Sequence, residues 1–355
     1  MQNDKTKEIS ISIIIPHFNG KKVLTNCLNS IIKNKFEDYE IIVVDNGSSD
    51  GSQDLIRNDF KNVLLIENET NKGYAGGCNS GILIAQGKYI LFLNNDVEVA
   101  QNFLKEMHTA MDSDEDVGLV QPKLLSIQKK NHFDYSGGAG GEIDIFGFPF
   151  ARGRVFIELE KDESQYSDMT NEIFWASGTA VLVRKALLEK IGLFDEDFFA
   201  HMEEIDLNWR AQLVGYKSIV TLKTFLYHYS GYTLPAENPR KMYINHRNNL
   251  IMLLKNYSLL TLLWVFPIRL FLELIALAYA IVSRNKNWAI GVIKGVGFVF
   301  KNFGSIWKKH LKIQKLRTVS DSEIMRNMYK GSVALTFFLR IKNVNQICSF
   351  KKNII

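Results

Sequence analysis

The feature that most constrains this chain is a pair of apolar runs that each end abruptly in polar residues. Leu91-Phe92-Leu93 is followed by Asn94-Asn95-Asp96, and Ile41-Ile42-Val43-Val44 by Asp45-Asn46-Gly47-Ser48. Short unbroken apolar runs of this kind suit strands buried on both faces, as in parallel sheets. A carboxylate at the C-terminal end of such a strand stands where open α/β sheets bind ligands. Two such ends imply a site for a nucleotide and a divalent metal, and with them a transfer reaction on a phosphorylated donor.

The flanking pattern supplies the rest of a sheet. Ile9 to Pro16 reads as a strand stopping at the sheet edge, Asn19-Gly20 as a turn, and residues 21–33 as a helix with Val23, Cys27, Leu28 and Ile31 on one face. Ser48 or Asp50 can cap a helix through about Arg57, and Asn62 to Glu67 reads as a third strand. The glycine-rich turn Asn71 to Gly77 leads into a helix over about 75–86, and Ile90 to Leu93 is the fourth strand. This βαβα rhythm with short connections predicts a parallel, doubly wound α/β sheet. After about residue 117 the alternation breaks down. Segment 131–170 is expected to be irregular or to form short strands, Phe174 to Arg184 a strand, Lys185 to Ile191 a short helix, Phe199 to Gly215 a helix and Ser218 to Tyr227 a strand. From about 240 the chain is helix-like throughout, which divides it into regions 1–239 and 240–355.

Charge separates the two regions. The net charge is +5, yet residues 240–355 carry 20 Lys and Arg against 3 Asp and Glu, which leaves the first region strongly acidic. Basic helices rich in Leu, Phe and Trp, as over 245–310, are expected at an anionic membrane surface; the alternative is a bundle packed on the first region with its charge merely solvated. No nucleic-acid motif is present. The uncharged run from Asn256 to Ile268 holds 13 residues before Arg269 and Glu273 interrupt it, short of the roughly 18 of a spanning helix. Cys27, Cys78 and Cys348 form no disulfide or zinc pattern. Met1 to Glu8 is polar and lacks the apolar core of a signal peptide, so the first region is expected in the cytoplasm, peripheral on the inner face of the cell membrane.

Several motifs occur in the order found in one family. Ser12-Ile13-Ile14-Ile15-Pro16-His17-Phe18-Asn19, Val43-Val44-Asp45-Asn46-Gly47-Ser48, Asn71 to Gly81, Leu93 to Asp96, Trp175-Ala176-Ser177-Gly178, and Phe194 to Phe199 leading to Glu203-Glu204-Ile205-Asp206 resemble family 2 glycosyltransferases. Gly147 to Gly153 resembles the bacterial rhamnosyltransferase branch. The resemblance covers about residues 10–235. It implies a GT-A fold with a Rossmann-like nucleotide-binding half and a helical C-terminal extension. It further implies inverting transfer of a sugar from a nucleotide-diphosphate donor, such as dTDP-rhamnose or a UDP-sugar, to a glycan, lipid-linked, in cell-surface polysaccharide synthesis.

Residue by residue, the resemblance assigns Pro16, Phe18, Asn19, Asp45 and Gly73 to the donor, with Asn94, Asn95 and Asp96. The family's Asp-X-Asp triplet keeps only its last acid here, so Asp96 is the expected metal ligand, joined by His228 before Tyr229-Ser230-Gly231-Tyr232; an imidazole suits Mn better than Mg. Asp96 and His228 also have plain structural readings, as a turn former and a packed histidine. Glu204 takes the place of the family's catalytic base, usually Asp. Three carboxylates within four residues raise one another's proton affinity, which suits a base working near neutral pH, although acids also favour the first turn of any helix. Trp175, Gly178 and Glu203 are expected at the acceptor, with core packing equally open for Trp175, and Asp206 is expected to pair with Arg210. Two other functions stay open: a catalytically silent, nucleotide-sugar-binding membrane adaptor, and a sugar nucleotidyltransferase. The latter requires a Gly- and Arg/Lys-rich loop after the first strand, which Pro16 to Lys22 matches poorly.

Overall fold

The computed structural model describes residues 9–229 and 239–353. Its strands are β1 (Ile11–His17), β2 (Tyr39–Asp45), β3 (Val63–Glu67), β4 (Tyr89–Leu93), β5 (Val97–Val99), β6 (Val117–Ser126), β7 (Gly141–Ile143), β8 (Pro149–Ala151), β9 (Arg154–Val155), β10 (Glu158–Leu159), β11 (Glu172–Ile173), β12 (Ala180–Arg184) and β13 (Lys217–His228). The main sheet runs β11-β13-β6-β12-β4-β1-β2-β3, with β5 paired to β13. β3, β2, β1 and β4 are parallel neighbours, and β12 joins antiparallel to both β4 and β6. This is the expected α/β sheet. The irregular segment resolves into a small four-stranded sheet, β10-β9-β8-β7.

The helices that cover the sheet are α1 (Lys21–Ile32), α2 (Ser52–Asp59), α3 (Gly73–Ile82), α4 (Phe103–Met111), α5 (Lys185–Ile191) and α6 (Glu203–Leu213). Successive side chains alternate between the two faces. Ile11, Ile13 and Ile15 of β1 pack with Leu24, Leu28 and Met107, while Ile14 joins Ala75, Cys78 and Phe92 on the opposite side. One expectation changes and another is extended. The Phe174–Arg184 run is broken by the Ser177–Thr179 turn, which leaves β12 starting at Ala180. Asp50 meets the first N–H of α2 through Oδ1, which accepts from Ser52 (3.2 Å), but it also serves a second helix: its Oδ2 accepts from Gly20 and Lys21 N–H (2.7 and 2.8 Å), closing the N-terminus of α1 from another turn.

The basic region packs through α7 (Pro239–Asn256), α8 (Leu259–Val282), α9 (Lys286–Lys301) and α10 (Phe303–Gln314). Leu250 to Leu254 and Tyr257 share a core with Phe174, Trp209 and Leu213. Cations of this region neutralise acids of the first. Lys255 reaches Asp195 (2.6 Å) and Asp206 (3.0 Å), Lys309 reaches Asp195 and Asp197 (both 2.5 Å), and Lys351 reaches Glu142 (2.7 Å). Asp206 is fully buried and also holds Arg210 (2.9 Å), as expected, and Asn256 (2.9 Å). Removing one partner of such a cluster strands the others: Asp206→Ala should lower unfolding free energy by about 3–5 kcal/mol in urea denaturation. A loss well under 1 kcal/mol would show that the cluster contributes little.

Candidate active site

Most of the residues expected at the donor stand at or just beyond the C-terminal ends of β1, β2 and β4. Asp45 is buried; its Oδ2 accepts from Gly47 and Ser48 N–H and from Gln53 Nε2 (2.9 Å), while Oδ1 has no partner. Opposite it in the β1–β2 register stands His17, which sequence reading did not single out. His17 contacts Asn95 Nδ2 (2.7 Å) and Ser52 Oγ (2.8 Å), so it ties the two acidic strand ends together. Pro16 is half-buried and Phe18 exposed, and Asn19 sits in the left-handed region (φ 56°), fixed by Ser48 and Ser49. Gly73 (φ 71°) opens α3, and a Cβ there would lie 2.4 Å from the Phe199 carbonyl oxygen. The close approach that this glycine permits is thus to the chain's own loop before α6.

Asp96 and His228 meet because β5 pairs with β13 in a register that sets His228 opposite Val97, and Tyr229 N–H donates to the Asp96 carbonyl (3.0 Å). His228 Nε2 lies 3.2 Å from Asp96 Oδ1, an oxygen that receives no aligned hydrogen bond. Asn94 Nδ2 is 3.5 Å from the same nitrogen. On the other side of the ring, Nδ1 lies 2.9 Å from Asp134 Oδ1 and 3.2 Å from Ser136 Oγ. Burial alone depresses the imidazole pKa, but the Asp134 and Asp96 carboxylates outweigh it and raise it to about 10. At neutral pH the ring is therefore an imidazolium that bridges Asp134 and Asp96; with its Nε2 proton displaced, Nε2 and Asp96 Oδ1 would offer one nitrogen and one oxygen donor together. That pair fits a hard divalent cation which takes its remaining ligands from phosphate and water. Asp134 and Ser136 were missed from sequence; the run Phe133 to Gly137 carries no local signal that it meets a residue so far along the chain. Ser230 to Tyr232 lie outside the described residues.

α6 carries the acidic cluster, but it begins at Glu203, not Phe199. Phe199, His201 and Met202 all have positive φ (63°, 67° and 72°), a conformation costly for residues with a Cβ and held only by surrounding contacts. Those contacts are present. Asn248 of α7 donates to the carbonyls of Phe198, Ala200 and His201 (3.0, 2.9 and 2.7 Å), and Tyr74 N–H donates to Phe199 O (2.9 Å). The turn presents two carboxylates whose Oε2 atoms are buried without partners, Glu203 and Glu204. Burial is the main cause that raises both proton affinities. Glu203 is pushed well above the usual carboxylate range, with Glu204 adding repulsion, and Glu204 rises to about 7, moderated by backbone N–H groups and Arg154.

Of the residues expected at the acceptor, Gly178 has its carbonyl accepting from Tyr74 Oη (2.6 Å), and the neighbouring Thr179 O accepts from Asn94 N–H (3.0 Å), so this turn joins the end of β4 to α3. Trp175 is not a surface platform. It is 3% exposed, its Nε1 donates to Glu142 O (2.8 Å), and its ring packs on Gly141, where a Cβ would lie 2.1 Å away. A groove of about 540 Å³ lies elsewhere, along α1 and β5, lined by Asn26, Lys33, Glu98 and Tyr227. Its carboxylate, Glu98, is already bonded to Tyr229 (2.8 Å), so chemistry rather than the size of a hollow locates the site.

Residues 12–192 match the model of the family described as Glycosyl transferase family 2, just over half of the chain, and the chain belongs to that family. The poly(ribitol-phosphate) beta-glucosyltransferase of Bacillus spizizenii is 35% identical over 125 residues, 33% of this chain and 20% of that protein. Glycosyltransferase GlyG of Streptococcus pneumoniae is 32% identical over 199 residues, 55% of this chain and 62% of that one. The poly-beta-1,6-N-acetyl-D-glucosamine synthase of Staphylococcus aureus is 25% identical over 212 residues, covering 58% and 47%. This chain therefore spans less than two thirds of the length of each relative. Among solved structures, GalNAc-T7 with UDP, GalNAc and Mn2+ superposes with a TM-score of 0.58 at 15% identity, over 94% of this chain and 58% of that one. The mannosyltransferase PcManGT from Pyrobaculum calidifontis, in complex with GDP-Man and Mn2+, gives 0.52 at 15% identity over 88% and 86%. These likenesses establish the GT-A type of fold.

Proposed function

We propose that the protein is an inverting glycosyltransferase that moves a sugar from a nucleotide-diphosphate donor to a hydroxyl of a glycan, lipid-linked, in cell-surface polysaccharide synthesis. The observation that carries this reading is a set of buried carboxylates, two at strand ends and one in the first turn of α6: Asp45 Oδ1 and Glu204 Oε2 have no partner, and Asp96 Oδ1 has only the His228 ring at 3.2 Å. Such oxygens are unfavourable unless a ligand satisfies them. Asp45 accepts from the base or ribose, with Pro16, Phe18 and Asn19 beside it. Asn94 and Asn95 shape the diphosphate end, Gly73 supports it by letting the loop before α6 close in, and Asp96 and His228, its Nε2 proton displaced, would hold the divalent cation. Mn or Mg, when bound there, neutralises the charge that grows on the leaving diphosphate.

Glu204 takes the proton from the acceptor hydroxyl as that oxygen attacks the anomeric carbon from the face opposite the diphosphate. The bond from C1 to the diphosphate oxygen breaks, the new glycosidic bond forms, and the configuration inverts. Glu203 stays protonated beside it, donating to the acceptor or to Glu204. The relatives' names and the nucleotides bound by the structural neighbours support a UDP-, GDP- or dTDP-sugar, dTDP-rhamnose among them. Nucleotidyl transfer is disfavoured by the loop after β1, whose Gly20 and Lys21 N–H groups are engaged by Asp50 and not open to a triphosphate. The base must be ionised to act, so kcat/KM should rise with pH and level off above about 7, following Glu204. Glu204→Gln should cut transfer by about 10²–10⁴-fold while nucleotide affinity stays within twofold. Equal loss of both would make Glu204 a structural residue.

Membrane attachment is part of the same reading. α8 is the one helix among the described residues that is by itself long and apolar enough to cross a membrane, and Arg269 and Glu273, which interrupt its sequence, are buried and paired with each other (2.7 Å). The outer face, with Leu260, Leu263, Phe271 and Leu274, is exposed. Because the Arg269–Glu273 pair anchors α8 to Asn249 and His246 of α7, we place α8 flat on the cytoplasmic leaflet, with lysines of α9 and α10 at the headgroups. The protein should pellet with anionic phosphatidylglycerol vesicles, and a variant carrying Ser at Leu260, Leu263, Phe271 and Leu274 should remain soluble. Wild-type protein left in the supernatant would contradict this placement.

A further inference from the structure

Tyr135 directly follows Asp134, the partner of His228, and is 42% exposed. Two cations share its ring. The Arg154 guanidinium carbon lies 4.6 Å from the ring centroid and Lys241 Nζ 5.7 Å from it. Arg154 is 8% exposed and its Nε has no partner; its Nη1 makes only a 3.4 Å bond to the Phe156 carbonyl. Among the described residues, no carboxylate lies within ion-pair distance of Arg154 or Lys241. A guanidinium withdrawn from water is strongly disfavoured unless an anion meets it. Both cations act on the turn that carries Glu204 and on its start. The field of Arg154 opposes the rise in the Glu204 pKa, and that of Lys241 adds to the fall of the buried His201, whose Nε2 is likewise without a partner.

We infer that the acceptor carries an oxyanion, a phosphodiester or a carboxylate, close to its attacking hydroxyl, held by Arg154 and Lys241 over the Tyr135 ring. The inference deepens the transferase reading and rests on it for the word acceptor. Arg154 is suited to the task because its planar fork engages two oxygens of a phosphate or carboxylate at once. A neutral polyol leaves the guanidinium unpaired, so the pair of cations selects for charge on the acceptor as well as for position. Tyr135 also takes the place that Trp175, buried in the core, does not fill: an exposed aromatic surface, next in the chain to the partner of His228.

The test is calorimetric titration of the full chain, saturated with Mn and whichever of UDP, dTDP and GDP it binds, using glycerol 1-phosphate and methyl galacturonide as probes, with glycerol and methyl galactoside as neutral controls. One or both anions should bind saturably, the neutral compounds should not, and the anion that binds identifies phosphate or carboxylate as the group recognised. Arg154→Met and Lys241→Met should each weaken that binding at least tenfold with nucleotide affinity unchanged; Lys241 is only half-buried, so its variant decides the matter if loss of the Arg154 guanidinium impairs folding. No saturable binding of either anion, or binding unaltered in the Lys241 variant, would overturn the inference. Should no nucleotide bind, the transferase reading fails, while the anion titration on the protein without nucleotide still decides whether the oxyanion site exists.

Discussion

The position of Glu204, the proposed base, depends on the buried carboxylate of Asp206. It is held by Arg210 on its own helix and by Lys255 and Asn256 of α7, so α6 cannot rotate or slide without stranding charge in a dry interior. Two residues earlier on the same helix stands Glu204. The partner helix also carries Asn248, whose amide gathers three carbonyls of the left-handed turn that starts α6. Both ends of the base's support therefore come from the basic region. Part of the charge asymmetry between the regions is thus internal: Lys255, Lys309 and Lys351 are spent on acids of the sheet-bearing part.

The other half of the site follows from strand geometry. Parallel strands deliver Asp45 and the Asn94–Asp96 turn to one edge, and the reversal into β5 brings Asp96 against His228. The Ser177–Thr179 turn and the start of α3 then bridge the end of β4 to the start of α6 through Asn94, Tyr74 and Phe199. Gly73 sits where that bridge is tightest, and its missing Cβ is what allows the Phe199 carbonyl to approach. The strand ends and the turn before Glu204 are thus coupled through backbone contacts as well as through side chains.

The parts of this arrangement that are local in sequence were legible in it. An apolar strand ending in an acid reveals itself within eight residues, so Asp45 and Asp96 stood out, and so did the order of β1 to β4. The acidic run at Glu203 was equally plain. What could not be read depends on distant contacts. The helix of Glu204 starts four residues later than its periodicity suggests, because Asn248 and Tyr74 stabilise a left-handed turn that propensity disfavours. Asp134 meets His228 across 94 residues with no motif to announce it. Trp175 has the composition of a sugar platform, and only the bond from its Nε1 to Glu142 O reveals a core residue. Arg269 and Glu273 count as interruptions in a one-dimensional reading of α8, yet they neutralise each other on its inner side and leave the outer side apolar.

The central claim is that the strand ends form a cation-dependent nucleotide site, and a calorimetric titration with UDP, dTDP and GDP in the presence of Mn tests it most directly. The account predicts saturable binding of at least one nucleotide, weakened at least tenfold by Asp96→Ala and by omission of the metal. Failure of all three to bind, or binding indifferent to both Asp96 and Mn, would contradict it.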